Sequence, residues 1–187
     1  YFEPLATRGH PQAQVYMGRI CEHVTPHRSQ IRSALEWFRR AAKSGDPTGL
    51  TMLARRYETG KGVERDVHKA LSLYEIAAEE GVADAQFRIG RMYDKGTVGI
   101  PEPQVAFEWY LRAAAQAHGG AQNSLGDMYQ DGIGVERDLQ QACEWYERGA
   151  ANGCHFAMVN LGYLFDRGEG VAQSYTIAAE WYMKAAH

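Results

Sequence analysis

The chain has 187 residues, 45% hydrophobic and 23% charged, the composition of a folded water-soluble protein, and no apolar run approaches the roughly 20 residues that span a bilayer. Its net charge of -3 leaves no basic excess to neutralise a phosphate backbone, so nucleic acid and direct membrane insertion are both set aside. Three cysteines, Cys21, Cys143 and Cys154, are an odd count that argues for reduced thiols; this leans toward the cytoplasm but leaves a periplasmic or secreted location open.

A fixed period organises everything else. A small residue recurs every 36 positions at Gly18, Ala54, Gly90, Gly126 and Gly162, always after an apolar one: Met17, Leu53, Ile89, Leu125, Leu161. Trp37, Leu73, Trp109, Trp145 and Trp181 keep the same register, as do Phe38, Tyr74, Tyr110, Tyr146 and Tyr182. In chain order, residues 1–11 read as the second helix of a preceding repeat, because Phe2, Leu5, Ala6 and Gly9 fall in its columns. Units follow at 12–47, 48–83, 84–119, 120–155 and 156–187, and the expectation is a piece of a longer repeat array.

Each unit predicts two helices. In the third, Asp84 to Tyr93 and Gln104 to Ala117 both place small and aromatic residues at helical spacing. Glycines punctuate the loop between them, as in Gly60-Lys61-Gly62, Gly132-Ile133-Gly134 and Gly168-Glu169-Gly170. Asp66, Asp138 and Ser174 are of the type that caps the next helix, and Gly45, Gly81 and Gly153 mark its end. Small residues at Gly90 and Ala113 let backbones approach, with Trp and Tyr expected to fill the wedge beside them. Two such helices cannot bury their apolar faces alone, so neighbouring units must share a core. The fold class is therefore all-α: an α/α superhelical solenoid of about five 36-residue helix-turn-helix repeats.

The run Ala121-Gln122-x-x-Leu125-Gly126-x-x-Tyr129-x-x-Gly132-x-Gly134-Val135-x-x-Asp138-x-x-x-Ala142-x-x-Trp145-Tyr146 resembles the Sel-one-like repeat, a relative of the tetratricopeptide repeat, and the likeness covers essentially the whole chain. The first unit departs from the pattern at Cys21, Val24 and Pro26, and the third at Gly96-Thr97-Val98-Gly99-Ile100-Pro101. The resemblance implies a non-catalytic adaptor or scaffold that binds protein or peptide segments along a concave groove. Two alternatives stay open: an envelope-associated binder of a small molecule or cell-wall glycan, and a passive spacer within a larger protein. Some secreted relatives bind penicillin-type ligands and carry many disulfides, a cysteine pattern this chain lacks.

No catalytic or cofactor site stands out: there is no phosphate loop, no serine elbow and no strand pattern to carry one. Cys21-x-His23-x-x-x-His27 has donor types suited to zinc but lacks a fourth ligand, so no metal and no cofactor are assigned. Glu64-Arg65-Asp66 and Glu136-Arg137-Asp138 read as loop and cap residues.

If the first helices line the groove, as the resemblance implies, the residue after each small-column position points into it: Arg19, Arg55, Arg91, Asp127 and Tyr163. Three arginines suit the carboxylates of an acidic peptide or chain terminus. One turn earlier stand Val15, Thr51, Phe87, Asn123 and Val159, of which Phe87 and Asn123 are the expected apolar and amide contacts. The plain alternative pairs each arginine with the acid three residues on: Arg19 with Glu22, Arg55 with Glu58, Arg91 with Asp94.

Overall fold

The computed structural model describes the backbone of residues 2–23 and 28–186 and the side chains of 2–22 and 31–186. Val24, Pro26, His27 and the His23 side chain, on which part of the first unit's departure and the candidate zinc motif rest, lie outside the described residues. Among the described residues there are eleven helices and no strand. They are α1 (Glu3–Thr7), α2 (Pro11–His23), α3 (Arg28–Lys43), α4 (Pro47–Thr59), α5 (Val67–Glu79), α6 (Ala83–Asp94), α7 (Pro103–Ala114), α8 (Gly119–Asp131), α9 (Leu139–Ala151), α10 (His155–Arg167) and α11 (Tyr175–Ala185). The chain is an all-α repeat solenoid, and it divides into two compact units, Tyr1–Ala85 and Gln86–His187. In unit 1, α2 packs on α3, α4 on α5, and α4 on both α2 and α3; in unit 2, α8 packs on α9, α10 on α11, and α10 on both α8 and α9.

The expected punctuation sets the helix ends. Gly60, Gly132 and Gly168 end α4, α8 and α10 in the left-handed conformation, at φ 72°, 69° and 68°. The chain then returns: the amides of Asp66, Glu102, Asp138 and Ser174 donate to the carbonyls of Tyr57, Tyr93, Tyr129 and Phe165. Asp66 caps α5 by accepting from the Lys69 amide, Asp138 caps α9 from Gln140 and Gln141, and Ser174 caps α11 from Ile177. Helix α7 begins instead with Pro103, whose missing N–H removes one donor from an end that Glu102 does not cap. The column that ends each second helix takes positive φ at Gly9, Gly45, Gly81 and Gly153, and at Ala117, where φ is 59°.

The small column works by close approach. A Cβ on Gly90, Gly126 or Gly162 would meet the ring of Tyr110, Tyr146 or Tyr182 at 2.7, 2.4 and 2.5 Å, and one on Gly18 would meet Phe38 at 2.3 Å. In these four repeats the ring on the second helix therefore lies directly against the glycine of its own first helix, and Tyr74, Tyr110 and Tyr146 are fully buried. The tryptophans do not share that wedge as expected. They lie half-buried one position earlier, each with a cation one turn on: Arg40 over Trp37, Arg112 over Trp109, Arg148 over Trp145 and Lys184 over Trp181, at 4.1 to 4.9 Å. Trp145 and Trp181 pack against clusters shared by the preceding repeat's second helix and their own repeat's first helix, so they serve the joint between repeats.

The Ala-Gln pair of the repeat has a structural reason as well. Buried Gln122 donates to the Ala114 carbonyl at the end of α7 and accepts from Asn152 at the end of α9, joining two successive second helices. Gln14 makes the first of these bonds, to Ala6.

Candidate functional site

Where repeats stack, successive first helices leave room between them. In unit 2 the space between α6 and α8, floored by Tyr110 of α7 and closed by the start of α10, is an open cavity of about 540 Å³. Its α6 wall carries Phe87 and Arg91, with Lys95 just past the helix end, and its α8 wall Asn123, Asp127 and Asp131 at helical spacing. Phe87 stands between the rings of His118 and Tyr110, at centroid distances of 4.5 and 5.8 Å, with the Arg91 guanidinium 5.9 Å from its own centroid. His118 is fixed because its Nδ1 accepts the Ala121 amide at 3.1 Å and so caps α8. Ile133 and Phe156, 47% and 75% exposed, add an apolar rim.

Asp127 organises the α8 wall. One carboxylate oxygen accepts the Tyr146 hydroxyl at 2.8 Å and the Asn160 amide at 3.0 Å, while the other accepts Asn123 at 3.0 Å. Asn160 also donates to the Asn123 carbonyl oxygen at 3.1 Å, so α8, α9 and α10 share one polar network. Burial pushes the Asp127 carboxyl above its usual range against the opposing Tyr146 hydrogen bond, and nearby Asp131 pushes it the same way. The Tyr146 phenol is raised far beyond its ordinary range by burial and then by the Asp127 charge.

Unit 1 contains the same site in two parts. One pocket of about 320 Å³ is lined by Val15, Tyr16 and Arg19 of α2 and by Thr48. The other, about 310 Å³, lies between Glu22 and Phe38 on one side and Arg55, Arg56 and Lys61 on the other. Every residue lining this second pocket lies two periods before one lining the unit-2 cavity. Across that shift Glu22 becomes Asp94, Phe38 becomes Tyr110, Arg55 becomes Asp127, Arg56 becomes Met128, Thr59 becomes Asp131 and Lys61 becomes Ile133. Three cations and one carboxylate in unit 1 stand where unit 2 has three carboxylates and no cation.

The inversion centres on Arg56. Its side chain is 3% exposed, donates through Nη2 to Glu22 and lies 5.3 Å from the Phe38 ring centroid. Burial lowers the pKa of the guanidinium, and the Glu22 charge opposes that shift. Glu22 is free for it because Phe38 has no hydroxyl; in the next repeat Tyr74 donates to the corresponding Glu58 at 2.7 Å, and in the fourth the Tyr146 hydroxyl lies 2.8 Å from Gln130.

Of the residues the sequence singled out, Phe87, Arg91, Asn123 and Asp127 come together in the unit-2 cavity. Arg19 and Arg55 line the two separate pockets of unit 1. Tyr163 lies outside these pockets, 37% exposed, with the Arg167 guanidinium 5.6 Å from its ring centroid. The column one turn earlier is not uniform: Val15 and Thr51 are buried, Phe87 and Asn123 half-buried, Val159 exposed. Two of the expected local pairs do not form among the described residues, since Glu22 is held by Arg56 and Lys61, and Asp94 by Lys95. Sequence reasoning missed Arg56, Lys61, Lys95, Asp131 and Asn160. The column Ile20, Arg56, Met92, Met128, Leu164 held a signal for the first of these, one charge among four apolar residues.

The three thiols are free. Burial and Glu147, whose carboxylate lies 3.9 Å from the sulfur, push Cys143 up to about 11, so it is un-ionised at neutral pH. Among the described residues no cluster of metal-ligating side chains occurs, and no helix is long and apolar enough to cross a membrane.

None of the curated proteins compared with the chain matches it. Solved structures do. The chain is 34% identical to a protective antigen present in uropathogenic Escherichia coli strains that displays an SLR fold, with a TM-score of 0.85 over 99% of this chain and 40% of that one. It thus spans well under half of that antigen. It is 28% identical to a Sel1 repeat protein from Oxalobacter formigenes, with a TM-score of 0.85 over 94% of this chain and 72% of that one. A Sel1 repeat protein from Klebsiella pneumoniae, 22% identical, shares the fold with a TM-score of 0.67 over 99% of this chain and 90% of its own. The Sel1 repeat model matches residues 11–46, 47–82, 83–118, 120–154 and 155–187 in succession. With glycine, tyrosine and glutamine columns packed as described, the chain belongs to the Sel1 repeat family, whose members are generally non-catalytic protein-interaction scaffolds.

Proposed function

We propose that this chain is a non-catalytic adaptor that holds a protein segment along its first-helix face, with an acidic stretch of that segment against the arginines. The observation that carries the reading is the recurrence of the same pocket-lining positions two repeats apart, with their charges changed. Residues that maintain the stack recur in most repeats, whereas the lining residues differ more freely, as a surface for specific recognition requires. Phe87 offers an apolar seat, Asn123 an amide, and Arg19, Arg55 and Arg91 planar donors for carboxylates.

Peptide display on the immobilised chain tests this. The expected result is enrichment of sequences with an acidic stretch beside an apolar residue. Their binding falls at least about tenfold in the Arg55→Glu, Arg91→Glu double variant, while its melting stays nearly that of the parent. Both arginines are exposed, so their reversal leaves the core intact. Failure to enrich any sequence, or unchanged binding by the double variant, contradicts the reading.

A further inference from the structure

We propose that the unit-1 pocket around Arg56 is a binding site for an oxyanion of the phosphate-monoester class. Four of the five residues in its column are apolar, so packing at this position needs no charge. A guanidinium there carries a desolvation cost that a single carboxylate only partly offsets. Arg56 gives Nη2 to Glu22, but its Nη1 is buried and has no hydrogen-bond partner. Buried donors are almost always satisfied, and Arg56, which carries this unsatisfied one, lines the pocket.

The rest of the lining fits the same ligand. Arg55 is exposed at the pocket, and Lys61, half exposed, holds its ammonium 3.9 Å from Glu22. Three cations against one carboxylate leave two positive charges, which a dianionic phosphate neutralises and a carboxylate does not. The Phe38 ring, its centroid 5.3 Å from the guanidinium, adds a cation–π contact on one side. The corresponding positions of unit 2 carry Asp127, Met128 and Ile133, so none of these three cations recurs there. This site shares Arg55 with the peptide-groove reading but turns on Arg56 and Lys61, which that reading does not use.

The test is an NMR titration of the whole chain with inorganic phosphate at constant ionic strength, following the side-chain N–H signals of Arg56. A saturable shift is expected, with acetate binding more weakly. Replacing the exposed cations in an Arg55→Ala, Lys61→Ala variant should weaken phosphate binding by about tenfold or more without loss of fold. Arg56→Met, which installs the residue found at 92 and 128, should abolish it; the exposed double variant decides the matter if that protein does not fold. A phosphoserine peptide that competes with phosphate and binds more tightly marks a protein-borne phosphate as the source, and equal affinity marks the free ion. No saturable shift of Arg56, or an unchanged affinity in the exposed double variant, overturns the proposal.

Discussion

The pockets beside Arg56 in unit 1 and Met128 in unit 2 occupy the same place in the repeat and have opposite chemistry. In unit 1 a buried guanidinium is held by Glu22 over a phenylalanine ring. In unit 2 the matching position is an apolar methionine, and polarity has moved to Asp127, which gathers Tyr146, Asn123 and Asn160 around it. The difference teaches that the repeat separates two tasks. Glycine, tyrosine and glutamine columns hold helices together, and the positions between them are free to set the charge of each pocket.

The comparison can be broken first at its shared frame. Ala54 in unit 1 stands where unit 2 has Gly126, and a Cβ on Gly126 would lie 2.4 Å from the Tyr146 ring. Gly126→Leu should therefore cost about 3 kcal/mol or more in urea denaturation. A melting temperature at or above that of the parent would show that the glycine does not face the tyrosine.

The ion pair comes next. Glu22→Gln leaves the Arg56 guanidinium buried without its carboxylate and should cost about 2 to 4 kcal/mol, toward the lower end because Glu22 is a quarter exposed. The equivalent Asp94→Asn, whose ion-pair partner is the exposed Lys95, should cost less than about 1 kcal/mol. Removing both charges with Glu22→Gln and Arg56→Met should recover most of the first loss. Equal losses at Glu22 and Asp94 would erase the distinction between the two pockets.

Much of this frame was legible in the sequence, and the reason is physical. Close backbone approach, left-handed turns and helix caps each favour a narrow set of residue types, so the columns of Gly18, Gly60 and Asp66 announce themselves in most repeats. The pocket chemistry was less legible because it resides in what differs between repeats. Arg56 breaks an apolar column and Phe38 lacks the hydroxyl of a tyrosine column, but only the fold shows that the two breaks meet. The tryptophans were misplaced for a related reason. Adjacent aromatic columns share one helical register, and which ring meets the glycine depends on how the second helix is rotated.

A smaller effect sharpens the contrast on the unit-2 side. Asp127 has a folded pKa above its ordinary value of 3.8, chiefly through burial. Its protonated form is thus favoured by folding: that contribution is fully present below 3.8 and is lost as pH rises through the raised value. Asp127→Asn should flatten the stability profile in that acid window and stay within about 1 kcal/mol of the parent at neutral pH. An unchanged profile would mean that Asp127 is not the titrating group.

The smallest expected effect concerns the turn after the second helix, where unit 1 has Gly45 and unit 2 has Ala117. Both take positive φ, 79° and 59°, and only the alanine is strained by it. Ala117→Gly should gain about 0.5 to 1 kcal/mol, read as a rise in the urea midpoint at unchanged slope. A loss would show that the turn relaxes to negative φ.

The most direct test of the central claim, that recognition lies on the first-helix face, is chemical-shift mapping with an enriched acidic peptide. The account predicts that the largest shifts fall on α2, α4, α6 and α8 around Arg19, Arg55, Phe87 and Asn123. Shifts confined to the second helices, around the Trp109 and Trp145 rings and their arginines, would contradict it.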